Sequence, residues 1–199
     1  MSERSRRDVL CDVGLAVLAA LPAASAAGQQ VHQMAAEESA ARGGTYSPKL
    51  FTVHEFATLE RLTDLILPPD GDLPGAAAAG AAAWIDMLAA ENPELAEIYT
   101  GGLARLDRSM KERAGQEFLR APATEQTKFL DLIAYRKNES PELAPDIRFF
   151  DWTRRMTVDA FYTSKIGIQA LGYRGNTALA QFEVPAEAVR SALEKSGLA

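Results

Sequence analysis

Two histidines and one cysteine are the only residues here with imidazole or thiol chemistry to offer. His32 lies in a polar N-terminal stretch. His54 falls in the first turn of an expected helix. Neither has another good ligand at helical spacing, so the sequence points to no metal site. Cys11 sits in the expected export-signal segment. Without it the chain has no internal disulfide, iron–sulfur cluster, covalent c-type haem or cysteine nucleophile. There is no Gly-x-Ser-x-Gly elbow. Gly71, Gly75 and Gly80 lack the Gly-x-Gly spacing and the preceding strand of a phosphate loop. The carboxylates Glu60/Asp64 and Glu91/Glu94/Glu97 could work as acid–base pairs, but the same spacing describes a solvated helix face. Glu94 and Glu97 also complement the dipole of a helix N-terminus. The residues thus assign this chain no catalytic, cofactor-binding or metal site, and an acid–base site among the carboxylates stays open as an alternative.

Composition narrows the partners. The 199 residues carry a net charge of −6, and no basic cluster interrupts the acidic balance. That excludes nucleic acid as an expected partner.

The N-terminus reads as an export signal over residues 1–26. Ser5-Arg6-Arg7-Asp8-Val9-Leu10 fits the twin-arginine pattern, in which two arginines precede an apolar pair at Val9 and Leu10. An apolar stretch from Val13 to Leu21 follows, too short to span a bilayer stably. Ala24-Ser25-Ala26 then supplies a small-x-small cleavage site, with Ala24 and Ala26 as its small positions. The expectation is export by the twin-arginine translocase to the periplasm. Whether the signal is removed or kept as an anchor stays open, and the alternative is the N-terminal helix of a cytoplasmic protein. Because that route carries folded cargo, a signal without chemistry of its own hints at a partner.

The rest divides into a flexible linker, 27–48, with a short helix around Val31 to Ala41, and a helical domain, 49–199. Thr52-Val53-His54-Glu55 is a capping box, flanked by Phe51 and Phe56 as a hydrophobic staple. Leu59, Leu62, Leu65 and Ile66 continue an apolar stripe that stops at Pro68-Pro69. A second helix is expected over Ala76 to Glu91. Asn92-Pro93 opens a third, reaching Ala114 and bending at Gly101-Gly102. A fourth spans Thr124 to Lys137, a long fifth Asp146 to Leu171, and a short last one Ala186 to Lys195. No run alternates as a strand would. The expected fold is all-α, an irregular bundle of about five main helices behind an N-terminal signal and tail.

Two blocks carry a resemblance. The first runs from Leu50-Phe51-Thr52-Val53-His54-Glu55-Phe56 through Leu62-Thr63-Asp64-Leu65-Ile66-Leu67-Pro68-Pro69-Asp70 to Pro74-Gly75-Ala76 and Trp84-Ile85-Asp86. The second holds Tyr162-Thr163-Ser164-Lys165-Ile166-Gly167-Ile168 and Leu171-Gly172-Tyr173-Arg174-Gly175-Asn176. As an ordered set they resemble the gluconate 2-dehydrogenase subunit 3 family, over roughly Phe51 to Phe182. The end departs from it, lacking a Gly-Cys or similar near Glu183-Val184. The resemblance implies a small accessory subunit of a membrane-associated dehydrogenase. Its partner would be a glucose–methanol–choline-type flavoprotein holding FAD, which oxidises a sugar, sugar acid or polyol, with a cytochrome c subunit carrying haem c as a further partner. The small subunit would bring the export signal and stabilise the large one. The alternative is a stand-alone exported helical binding or structural domain.

Two patches are candidates for the partner surface. One is the stiff turn and small-residue helix start at Pro68, Pro69, Pro74, Gly75 and Ala76. The other is Tyr162, Thr163, Lys165, Gly167, Tyr173, Arg174 and Asn176, which includes residue types favoured at interface hot spots. Internal packing is the alternative for both.

Overall fold

The computed structural model describes residues 28–40, 45–172, 184 and 186–196. Among them the chain is all-α, with one isolated bridge between Asp70 and Leu73. The signal residues Ser5, Arg6, Arg7, Val9 and Leu10 and the cleavage positions Ala24 and Ala26 lie outside the described residues.

Helix α1, residues 28–40, stands where composition suggested a linker. It is docked through specific contacts. The Trp84 indole N–H donates to Gly28 O at 3.1 Å, and His32 Nε2 lies 2.7 Å from Ala160 O. The short helix expected around Val31 to Ala41 is thus present, starts three residues earlier, and is held by these polar contacts together with buried Ala35 and core-packed Val31.

Helix α2, Val53–Ile66, begins at the expected capping box, with both reciprocal bonds between Thr52 and Glu55 formed. The expected staple is divided. Phe51 meets Tyr99 edge-on in the core, whereas Phe56 packs against Tyr46. The inward face holds Leu59 and Leu62, fully buried, and also Thr58 and Thr63. Each threonine hydroxyl donates back to a carbonyl of the same helix, His54 O and Glu60 O, so neither is buried unsatisfied.

Helix α3, Ala81–Glu91, starts five residues later than expected. Gly80 at its N-cap has φ +73°, the left-handed region glycine enters at little cost, and residues 76–80 form turns before it. Nearly every side is covered: Ala81, Ala82, Trp84, Ile85, Asp86, Met87 and Ala89 are buried. An almost uniformly apolar helix belongs at the centre of a bundle, and α3 packs against α2, α4 and α6.

Helix α4, Pro93–Ala114, is capped by the Asn92 side chain, which accepts from the Glu94 and Leu95 amides. It runs unbroken through Gly101-Gly102. Gly102 serves packing: a Cβ there would stand 2.0 Å from the Phe149 ring, so the two helices meet where this residue has no side chain. Tyr99, Leu103, Leu106 and Met110 face inward.

Helix α5, Ala123–Ile133, ends four residues before its expected end, and a single 3-10 turn takes over at Arg136–Asn138. Its buried Gln126 accepts from Arg61 Nε and donates to Phe118 O. Helix α6, Ala144–Thr163, packs on α2, α3, α4 and α5. The single long helix expected to Leu171 is broken at Ser164, and α7, Lys165–Ala170, follows. Ser164 is extended, accepts from Gly167 N at 3.0 Å and donates to Phe161 O at 2.6 Å, so it caps a new helix. Helix α8, Ala186–Ser196, agrees with the expected last helix. Among the described residues no helix is long and apolar enough to cross a membrane.

Candidate partner interface

Backbone geometry separates the members of the first patch. Asp70 and Leu73 exchange two 3.0 Å backbone hydrogen bonds around Gly71, and Ala76 N donates to Leu67 O at 2.9 Å. The loop therefore closes on itself. Gly75 and Ala76 are buried in that closure; a Cβ on Gly75 would meet Leu67 O at 2.7 Å. The small residues let the chain approach itself. Pro68, Pro69, Pro74 and Leu73 remain on the surface.

In the second patch Tyr162 and Lys165 are exposed, Thr163 is half-buried, and Gly167 is buried at the α6–α7 junction. A Cβ on Gly167 would sit 2.0 Å from Phe161 O, so this glycine permits the tight break between helices. Tyr173, Arg174 and Asn176 lie outside the described residues.

Tyr162 has company that the sequence reading did not single out. Helical spacing aligns it with Arg148, Trp152 and Arg155 on the outer side of α6, while Ile147, Phe150, Thr153, Met156 and Thr157 cover the inner side. Trp152 is 43% exposed, Val158 37% and Tyr162 42%, too much for side chains that belong to the core. The signal was legible in principle, because positions 148, 152, 155 and 162 repeat at helical spacing out of phase with the core stripe.

Electrostatics add to the same face. Asp151 binds three guanidiniums: Arg136 at 2.9 Å, Arg154 at 2.8 Å and Arg155 at 2.8 Å. The hydrogen bond from Arg136, with the neighbouring arginine charges, holds its carboxyl below the usual range. One carboxylate thus gathers three guanidiniums, and the stripe that carries Trp152, Arg155 and Tyr162 also carries the exposed Asp159. Trp, Tyr and Arg are the types enriched at interface hot spots.

Another grouping appears only in three dimensions. His54 Nε2 lies 2.6 Å from Asp107 Oδ2, and Glu117 brings a third ligand atom within 4.8 Å of both. Each group already has a protein partner. Asp107 Oδ1 accepts from Phe118 N at 2.9 Å, and Glu117 pairs with Lys111 at 2.9 Å. The arrangement ties the start of α2 and the turn after α4 to α4 itself.

Residues 53–178 match the family described as gluconate 2-dehydrogenase subunit 3. The chain belongs to the gluconate 2-dehydrogenase subunit 3 family. No curated protein and no solved structure matches it. As a member of this family it is a subunit associated with a gluconate dehydrogenase complex. The matched residues begin at the first residue of α2 and run past α7, so they contain the second sequence block, all of the first but Leu50, Phe51 and Thr52, and the whole outer face of α6. Helices α1 and α8 of the subunit lie outside the match.

Proposed function

We propose that this chain is the non-catalytic escort subunit of an exported, flavin-dependent gluconate, sugar or polyol dehydrogenase. It supplies the twin-arginine signal through Arg6 and Arg7. It binds the folded, FAD-loaded flavoprotein of the glucose–methanol–choline type in the cytoplasm, stabilises it, and accompanies it through the translocase to the periplasm. There the complex is membrane-associated, and a cytochrome c subunit takes the electrons. The flavin belongs to the large subunit.

The observation that carries this reading is the family match over residues 53–178. The exposed Arg148–Trp152–Arg155–Tyr162 face of α6 supports it, because aromatic and guanidinium groups held outward on a rigid helix suit a protein surface. The loop prolines and Leu73 provide a second exposed area.

Affinity purification of the tagged chain from its own host tests the proposal, with mass spectrometry and an absorbance spectrum of what is recovered. A co-purifying flavoprotein with flavin bands is the expected result. Recovery of the chain alone and monodisperse would end the escort reading.

A further inference from the structure

Helix α1 begins two residues after Ala26, and its first turn is clamped to the body of the protein. Gly28 opens the helix and is nonetheless buried. Its carbonyl accepts from the Trp84 indole of α3 at 3.1 Å. A Cβ on Gly28 would stand 2.8 Å from Thr163 Cγ2, so the start of α1 lies directly against the end of α6. One turn on, His32 Nε2 lies 2.7 Å from Ala160 O and 3.3 Å from Thr163 Oγ1, and its ring packs beside Trp84. Between them Val31 packs on the core, and Ala35 is buried beyond.

A helix end that only meets water frays at almost no cost. This one cannot open without giving up the indole bond, the His32 contacts and the packing of Gly28 and Val31 together. Proteases cut where the chain is exposed and locally unfolded, and an extended peptide is held through its main-chain groups. An enzyme that cuts after Ala26 must take up Ala27 and Gly28 on the far side of the scissile bond. Gly28 is helical, its carbonyl is engaged by Trp84, and Thr163 leaves no room beside its Cα.

We propose that docked α1 shields the Ala26–Ala27 bond from signal peptidase, so that the exported subunit keeps residues 1–26. This inference rests on the export reading above. The twin-arginine route makes the order of events decisive. Its cargo folds before it crosses, so α1 is already seated on Trp84, Ala160 and Thr163 when the bond reaches the peptidase on the far side. Helix α1 lies outside the family match, so the shield is a feature of this chain rather than of the matched residues.

Intact-mass spectrometry of the subunit from the cytoplasmic and exported fractions of its own host tests this. The exported parent should retain residues 1–26. A Gly-Ser-Gly-Ser-Gly-Ser spacer inserted between Ala27 and Gly28 moves the bond away from the docked helix without touching any of its contacts, and the exported spacer variant should have lost residues 1–26. An exported parent that already lacks them would overturn the shield and leave the export reading standing. Retention of residues 1–26 by both exported proteins would also overturn it, because the bond would then resist cleavage for a reason other than α1. A parent found only in the cytoplasm would remove the export reading, and the shield with it.

Discussion

The buried carboxylate of Asp86 accepts a hydrogen bond from the Tyr46 hydroxyl at 2.7 Å. The same carboxylate accepts from the backbone amides of Lys49 at 2.7 Å and of Leu50 and Phe51 at 3.1 Å. One side chain of the central helix thus organises the segment that leads into α2 and sets Phe51 in the core. Asp86→Asn keeps one acceptor but turns an NH₂ group toward donors. It should cost about 3 kcal/mol or more, since buried donors lose a charged partner. Tyr46→Phe should cost less, about 1.5–3 kcal/mol for one bond to a charged group. Urea unfolding of both variants measures the difference, and equal effects would show that the backbone donors contribute nothing.

Alkaline pH provides a second handle on this pair. Burial, then the Asp86 contact, pushes the Tyr46 phenol well above its ordinary value. The folded protein therefore keeps a proton that the unfolded chain releases near pH 10. The stabilisation is complete below that pH and is lost as pH rises above it. Unfolding free energy measured from pH 8 to 11 should fall less steeply in Tyr46→Phe than in the parent.

Gly101 and Gly102 are neighbours in α4 with opposite tolerances. A Cβ on Gly101 meets nothing within 4 Å, whereas one on Gly102 would stand 2.0 Å from Phe149. Gly101→Ala should stabilise by about 0.5–1 kcal/mol through helix propensity. Gly102→Ala should destabilise by about 1–3 kcal/mol as α6 is forced away. Thermal melts of the two variants side by side should move in opposite directions.

Docking of α1 should weaken in acid. Burial lowers the pKa of His32, against the smaller opposing effect of its bond to Ala160 O. The folded state thus prefers the neutral ring, and stability present near neutral pH falls as pH drops through about 6.5, the unfolded value. Trp84, which packs beside His32 and bonds Gly28, reports the change. Its fluorescence should shift to the red between pH 7.5 and 5, and His32→Gln should remove the pH dependence. An emission maximum constant across that range in the parent protein would refute the link.

For the escort role, Trp152→Ala with Tyr162→Ala should lower recovery of the flavoprotein tenfold or more, as loss of hot-spot residues costs about 2 kcal/mol or more. Both side chains are largely exposed, so the isolated subunit should melt at its usual temperature. Arg6→Lys with Arg7→Lys should instead leave the complex intact and strand it in the cytoplasm. Fractionation with a flavin-dependent activity assay separates the two failures.

What the sequence determined by itself was local. The Thr52–Glu55 box, the Asn92–Pro93 start and the inward faces of α2 and α4 are set by side chains acting within one or two turns of their own backbone, and they place the helices and the all-α class. The order of the two motif blocks was enough to indicate the family. Even the break at Ser164 had a local cause, a serine three residues before a glycine, though the apolar run on both sides outweighed it. Other features belong to the tertiary structure. Asp86 draws its donors from 35 to 40 residues away, His54 finds Asp107 across 53, and the place of Gly102 is explained by Phe149 on another helix. The same holds for α1, whose polar composition carries no sign of its dock, and for α6, where packing alone decided which aromatics were buried and left Trp152 and Tyr162 facing outward. Periodicity reports that a helix has an apolar side. Which neighbour covers it, and what stays uncovered, depends on the shape of the whole packed core.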